Sequence, residues 1–416
     1  MTLWNETKSV PISKDQIWSA YKKVKANKGS SGIDKISMEE FDNKRSKHLY
    51  KLWNRMASGS YYPVPVREVE ISKKDGKVRK LGIPTISDRV AQMAIKDYLE
   101  PRFEKIFSPN SFGYRPGKNA HQALAKVREN CWKYDWVIDL DIKGFFDNID
   151  HEKLMRAVEK HVPEKWVCMY IKRWLTMPVQ LRSGKLKQKK GKGTPQGGVI
   201  SPLLANLFLH YVLDAWLPKT MTVEFVRYAD DAIIHCRSKS HAEWVQKKIQ
   251  ERMGNCGLEL HENKTKLVYC RDFRRKDYFP EVKFDFLGYS FQPRTSKSKK
   301  DGRLFLGYDC AISIQSKKRI CAKLREFKIT YLTFNSIVGI AQYLNPYIRG
   351  WVNYFGKFRR YDMNSIFQLL RKRLVFWARK RYKRYRRRLN MAYKWLDRVR
   401  MQFPNLFYHW QIGLST

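Results

Sequence analysis

Residues 223–236 read Val-Glu-Phe-Val-Arg-Tyr-Ala-Asp-Asp-Ala-Ile-Ile-His-Cys. Val223–Tyr228 and Ala232–Cys236 are two short strand-like runs, and Asp230 and Asp231 fall in the turn that joins them. Adjacent carboxylates repel one another and desolvate poorly, so a tight hairpin that carries two of them calls for a cation. A divalent metal answers that need, although Tyr-x-Asp-Asp by itself is a weak motif. A second stretch supplies the missing acid. In Asp139-Leu-Asp-Ile-Lys-Gly-Phe-Phe-Asp147, Asp141 ends the strand candidate Trp136–Ile142. Together Asp141, Asp230 and Asp231 could hold two Mg²⁺ ions about 3.5–4 Å apart. Mg²⁺ favours such a mix of a few carboxylates and substrate phosphates. Asp139 and Asp147 read as capping or salt-bridging acids.

Two further pieces surround these acids. Gly193-Thr-Pro-Gln-Gly-Gly-Val-Ile-Ser-Pro202 is rich enough in glycine for a ligand to approach the main chain, with Gln196 placed to touch a nucleotide. Ser201-Pro202 then opens a helix with an apolar stripe of Leu204, Leu207, Phe208, Tyr211 and Val212. Val64–Ile71 and Val78–Ile83 flank an Asp-Gly turn and predict a hairpin, with Lys73 and Arg79 at its tip able to close over a triphosphate. A helix is expected from about Ser87, as cap, to Leu99. Residues 14–58 read as two or three helices, interrupted by the Gly/Ser loop Asn27–Asp34.

Composition narrows the class. Of 416 residues, 83 are Lys or Arg and 39 are Asp or Glu, a net charge of +44 that makes nucleic acid the first partner to consider. Hydrophobic residues at 43% and aromatics at 14% exclude a disordered basic tail. No apolar run approaches membrane-spanning length, and the first residues lack the pattern of a signal peptide. The seven cysteines include no C-x-x-C pair, so reduced thiols in a cytoplasmic protein of bacterial type are expected.

From about residue 313 the pattern turns all-helical. Ile337, Ile340, Leu344, Tyr347, Ile348, Trp351 and Phe355 recur at helical spacing, with Trp351 expected in the core. Pro346 predicts a kink or a restart capped by Asn345. Residues 371–388 hold eleven Lys/Arg and no acid, interleaved with Trp377, Tyr382 and Tyr385. That mixture predicts a basic helix facing RNA or DNA.

The order of these pieces resembles the reverse-transcriptase domain of group II intron-encoded proteins. The resemblance runs from about Asn27 to Tyr289. It takes in Asn27–Ile36, Val69–Lys73 through Leu81–Pro84, Ser111–Gly117, Asp139–Asp147, Gly193–Pro202, Arg227–Asp231, Leu258–Lys266 and Phe286–Tyr289. Asn345–Phe355 is similar to the maturase-specific segment of the same family. The resemblance implies an α+β right-hand polymerase of fingers, palm and thumb, with an antiparallel palm sheet and an all-helical thumb. The expected layout is an N-terminal extension and fingers over 1–130, with part of the palm from about 85, and a palm over 131–298. A helical thumb or maturase domain over 299–370 and a basic nucleic-acid-binding segment over 371–416 follow.

By the same resemblance Asp141, Asp230 and Asp231 are the catalytic, metal-holding acids, with Mn²⁺ as a stand-in for Mg²⁺. Lys73, Arg79, Phe146 and Gln196 bind the dNTP. Phe146 is the steric gate against a 2′-hydroxyl, and Phe145 is core. Arg115, Lys264, Arg349, Arg386, Arg387 and Arg388 are assigned to nucleic acid, with support of the fingers as the other role for Arg115 and stabilisation of the palm as the other role for Lys264. The implied activity is RNA-directed DNA polymerisation on intron RNA, coupled to maturase action in splicing and mobility. The partners are group II intron RNA, an RNA template with a DNA primer, dNTPs and, further, target DNA; no membrane is expected. The alternatives are an RNA-binding splicing cofactor with little polymerase use, or a domesticated reverse transcriptase in repair or defence. The Cys/His spacing of the endonuclease found in many relatives is missing, so unaided cutting of target DNA is not expected.

Overall fold

The computed structural model describes residues 10–72, 78–188, 190–195, 197–298 and 301–414, apart from the side chains of residues 72 and 79. Lys73 and Gln196 therefore lie outside the described residues, as does the Arg79 side chain. The chain forms two compact units, Met1–Asn119 with Ile138–Thr265, and Ala120–Val137 with Lys266–Thr416. These units cut across the linear segments expected from sequence.

The first unit begins with three helices, Lys14–Ala26, Met38–Asn43 and Arg45–Ala57. Capping boxes at Ser13 and Ser37 start the first two by satisfying otherwise orphaned N–H groups. The expected hairpin is present. Val66–Ser72 pairs antiparallel with Val78–Ile83, in a register running from Arg67↔Ile83 to Ser72↔Val78. The next helix, Ile86–Glu104, starts one residue before the expected Ser87 because Thr85 is the cap, its hydroxyl accepting from the Asp88 N–H. It also runs past Leu99 and through Pro101. The Gly/Ser loop is tied down from outside: Arg67 donates to the Ser31 carbonyl at 2.6 Å and Arg89 to that of Ser30.

A helix buried nearly all round, Ser201–Leu209, supports the palm. Its Ser201 hydroxyl donates to the Pro195 carbonyl at 2.9 Å rather than acting as the expected cap, which is Ile200. Beside it Glu224–Tyr228 and Asp231–Cys236 pair antiparallel, with Tyr228 opposite Asp231. The strand Trp136–Leu140 is the next neighbour of Asp231–Cys236 in the sheet.

In the second unit a three-stranded antiparallel sheet, Phe284–Phe286, Tyr289–Lys297 and Leu304–Ile312, precedes the helices. The segment from 299 thus opens on a strand, and the all-helical run starts at Ile314. The helix Ile337–Phe355 continues through Pro346, contrary to the expected break. Its stripe of Ile340, Leu344, Ile348 and Val352 is buried, and that packing outweighs the one backbone bond proline removes. Asn345 is no cap: its side chain donates to the Leu406 carbonyl and accepts from the Tyr408 N–H, both at 3.0 Å. Trp351 is half-buried rather than core.

Candidate active site and nucleic-acid faces

Asp141 leaves its strand with the backbone held on two sides. Its carbonyl accepts from the His261 N–H at 2.8 Å, and its N–H points at Thr265 Oγ1 at 3.4 Å. Lys264 reaches the Asp141 carboxylate at 3.1 Å while staying largely exposed. Asp230 and Asp231 arrive from the other strand pair through a sharp turn at Ala229, whose φ is +58°. Asp231 faces solvent on one side. Its carboxyl is pushed up to about 6, first by desolvation within the cleft and then by the charges of Asp230 and Asp141, with Lys264 pulling the other way. Asp231 thus feels the charges of both Asp230 and Asp141. Among the described residues no group of three or more His, Cys, Asp or Glu side chains stands close enough to hold a metal ion by itself. Mg²⁺ commonly takes only one or two protein carboxylates and completes its shell with water and phosphate, so the donor set fits that ion.

After Asp141 the chain turns through Gly144, in the left-handed region, into the short helix Phe145–Asn148. Phe145 is core at 3% exposure, and the Phe146 ring, 5.3 Å away between centroids, remains partly open. The glycine-rich loop docks on this turn: Thr194 N–H donates to the Phe146 carbonyl and Gly193 N–H to that of Ile149, each at 2.8 Å. A Cβ at Gly193 would stand 2.9 Å from the Asp147 carbonyl oxygen, so the close approach needs glycine. On its far side Gly197 sits against Gly82, where a Cβ would come within 2.7 Å of the Gly82 carbonyl oxygen. The loop is thus pinned between the strand of Arg79 and the turn of Phe146.

One assigned nucleic-acid contact is corrected. Arg115 is 5% exposed at its side chain and is not available to phosphate. It makes a forked pair with Glu104, its closest contact there being 2.8 Å, and donates to the carbonyls of Ser108 and Ser111 at 2.5 and 2.8 Å. A second buried arginine, Arg227, pairs with Asp214, whose place as a lone acid in the apolar run Leu203–Leu217 is the sequence signal for it.

In the second unit the expected basic helix ends at Arg381. Its aromatics turn inward: Trp377 and, just beyond the helix, Tyr385 are buried, while Phe376 and Tyr382 are half-buried. Trp377 is fully buried, and its indole donates to the Leu332 carbonyl at 2.8 Å. Tyr382 and Tyr385 pack on Trp395, at 5.4 and 5.9 Å between centroids. Arg386, Arg387 and Arg388 follow in an exposed connection. Arg349 is exposed with its guanidinium 5.4 Å over the Tyr408 ring. A different aromatic face is open instead. Tyr343 and Tyr347 are 47% and 41% exposed on one helix, and Tyr331 and Phe334 are more exposed still. Lys380 sits 3.9 Å over the Tyr331 ring.

A palm sheet with acids at its turn and at a strand end, under a fingers hairpin, defines a right-hand nucleic-acid polymerase. Residues 71–291 match the model of the reverse transcriptase (RNA-dependent DNA polymerase) family, and residues 317–395 match the maturase-specific domain of group II introns. The chain belongs to the reverse transcriptases, in the group II intron-encoded branch that joins polymerase and maturase domains. It is 28% identical to the group II intron-encoded protein LtrA of Lactococcus lactis, across 86% of this chain and 71% of that one. It is 30% identical to protein YkfC of Escherichia coli, across 58% of this chain and 60% of that one. A solved telomerase from Candida albicans, in complex with a fragment of telomeric RNA, matches with a TM-score of 0.47 at 11% identity, over 90% of this chain and 67% of that one, too loosely to inform the site. No helix among the described residues is long and apolar enough to cross a membrane.

Proposed function

We propose that this reverse transcriptase extends a DNA primer on an RNA template by two-metal nucleotidyl transfer at Asp141, Asp230 and Asp231. The observation that carries the reading is geometric: Asp141 follows the strand next to the hairpin whose turn carries Asp230 and Asp231, and desolvation, then the charges of Asp230 and Asp141, strain the Asp231 carboxylate up to about 6. Bound Mg²⁺ would relieve that strain, make the primer 3′-hydroxyl a better nucleophile and take up charge on the leaving pyrophosphate. This chain's own residues hold the pieces in place. The Asp141 strand end and the Ala229 turn orient the carboxylates. Lys264, already on Asp141, can move to phosphate when a metal takes its place. Phe146 would lie under the incoming sugar with the pinned glycine-rich loop beside it, and Lys73, Arg79 and Gln196, whose side chains lie outside the described residues, are assigned to the triphosphate by the family resemblance alone. Intron RNA is the substrate and the maturase target, held through the exposed cations Arg349 and Arg386–Arg388 of the second unit.

The test is primer extension on poly(rA)/oligo(dT) with dTTP and Mg²⁺, or Mn²⁺ in its place. Wild type should extend, and Asp141→Asn should not. Strong RNA binding without extension by the wild type would favour a splicing cofactor that no longer polymerises.

A further inference from the structure

Beneath the acidic turn lies a buried polar lattice that the proposed chemistry does not use directly. The side chains of Arg227 and Asp214 are both 0% exposed and form a forked pair at 2.7 and 2.5 Å. The remaining guanidinium nitrogen, Nη1, donates to Asn206 Oδ1 at 2.9 Å and to the Ala229 carbonyl at 2.7 Å. Asn206 in turn donates to the Gly113 carbonyl at 2.8 Å. Gly113 lies so close to the turn that a Cβ there would stand 2.3 Å from the Ala229 nitrogen. The Arg227 backbone is fixed as well, its N–H donating to the Asn110 carbonyl at 2.9 Å and its carbonyl accepting from Phe112 at 2.8 Å.

Two features argue that this lattice serves more than stability. A buried ion pair is commonly no better for folding than apolar side chains of similar volume. Ala229 holds a φ of +58°, a conformation that a residue with a Cβ adopts reluctantly, so the turn needs an external hold. The helix also departs from regular geometry to build that hold. At 3.6 residues per turn Asn206 and Asp214 would sit about 80° apart around the axis. The π-helical turn His210–Asp214 is wider and swings Asp214 back onto the guanidinium that Asn206 already meets.

We infer that Arg227, anchored by Asp214 and Asn206, is a positioning residue that clamps the Ala229 carbonyl and thereby aims Asp230 and Asp231 at the metal-binding space. This rests on the reading of those acids as metal-holding. The guanidinium touches neither metal nor nucleotide. It acts through the turn, as fixed supports of a reacting group do.

The experiment compares wild type, Asp230→Asn and the double variant Arg227→Met/Asp214→Leu in steady-state extension, with kcat, the KM for dTTP and the Mg²⁺ concentration at half-maximal rate. Thermal unfolding is followed in parallel. The apolar pair restores burial without a charge and removes the clamp. The expected result is a folded protein with unchanged KM, a kcat lower on the order of a hundredfold and a Mg²⁺ requirement raised several-fold. Wild-type kcat and Mg²⁺ dependence in the double variant would overturn the proposal and leave the pair a purely structural one. If the double variant does not fold, Asn206→Ala, which leaves the ion pair in place, takes over the test. A raised Mg²⁺ requirement in its folded, monodisperse fraction supports the clamp, and an unchanged one refutes it. Extension that survives Asp230→Asn would overturn the metal-site reading and this inference together.

Discussion

Arg115 and Arg227, in the unit that carries the acidic turn, are buried and bound to partners on every side, whereas Arg386, Arg387 and Arg388 in the C-terminal unit lie exposed. The same side chain is handled in opposite ways, as expected if one region is to hold metal and the other phosphate. Around the catalytic turn a loose guanidinium would compete with metal for Asp141, Asp230 and Asp231. Arg115 and Arg227 are locked onto Glu104 and Asp214, and the exposed point charge of Lys264 reaches Asp141. Where phosphates are to be gripped, cations must stay in water until RNA releases their counterions. A net charge of +44 therefore does not describe a uniformly basic surface.

The sharpest way to break this comparison is at the acids. Asp230→Asn or Asp141→Asn removes a charged metal ligand worth several kcal/mol, so extension should fall by about a thousandfold or more. RNA affinity, measured by filter binding, should stay near wild type. Next comes the buried arginine taken alone. Arg227→Ala leaves Asp214 charged and unpaired, and denaturant unfolding should show a loss of about 3–5 kcal/mol. Arg386→Ala measured the same way should leave stability unchanged. Equal losses at the two positions would erase the distinction between them.

The exposed arginines are tested by salt. Replacing Arg386, Arg387 and Arg388 with Ala should flatten the slope of log K against log[salt] for RNA by up to about three units, at roughly 0.9 per phosphate. Unrelated RNAs should weaken as much as intron RNA, because phosphate contacts carry no sequence information. Parallel salt lines would show that these cations are not in the interface. At the sugar, Phe146→Ala should raise the rNTP-to-dNTP efficiency ratio, and an unchanged ratio would move the gate elsewhere.

The smallest effect is on pH. Asp231 at about 6, against an ordinary 3.8, binds its proton more tightly when folded, so its contribution to stability is present below 3.8 and is lost as pH rises through 6. Buried Asp88, also at about 6, has the same sign. His409, pushed down to about 3 by burial from 6.5, works oppositely and costs stability as pH falls through that window. Mg²⁺ isolates the first of these: thermal stabilisation by the ion should grow as pH rises through 6 and vanish in Asp231→Asn.

The candidate acids stood out because each broke a local rule, two like charges in an apolar hairpin and a third at the end of a buried-type strand. The family resemblance put Phe145 in the core and Phe146 as the gate, and Phe145 is buried while Phe146 stays partly open. What stayed hidden depended on partners distant in sequence. Nothing near Arg115 announces Glu104 as its acceptor, and nothing in 371–388 announces Trp395, against which Tyr382 and Tyr385 pack. Pro346 read as a break because a local rule was applied where the tertiary contacts of the helix Ile337–Phe355 decide. The π turn that brings Asp214 to Arg227 has no local signature at all.

One paired measurement bears most directly on the division of labour between the two regions: extension and RNA affinity, assayed on the same preparations of Asp230→Asn and of the Arg386/Arg387/Arg388→Ala triple variant. The expected result is a crossing. The acid variant binds RNA as wild type does and does not extend. The arginine variant binds RNA weakly at moderate salt yet still extends a short primer–template at saturating concentration. If both variants lose both properties in proportion, or if Asp230→Asn extends normally, the assignment of chemistry to the buried-arginine unit and of RNA capture to the exposed one is wrong.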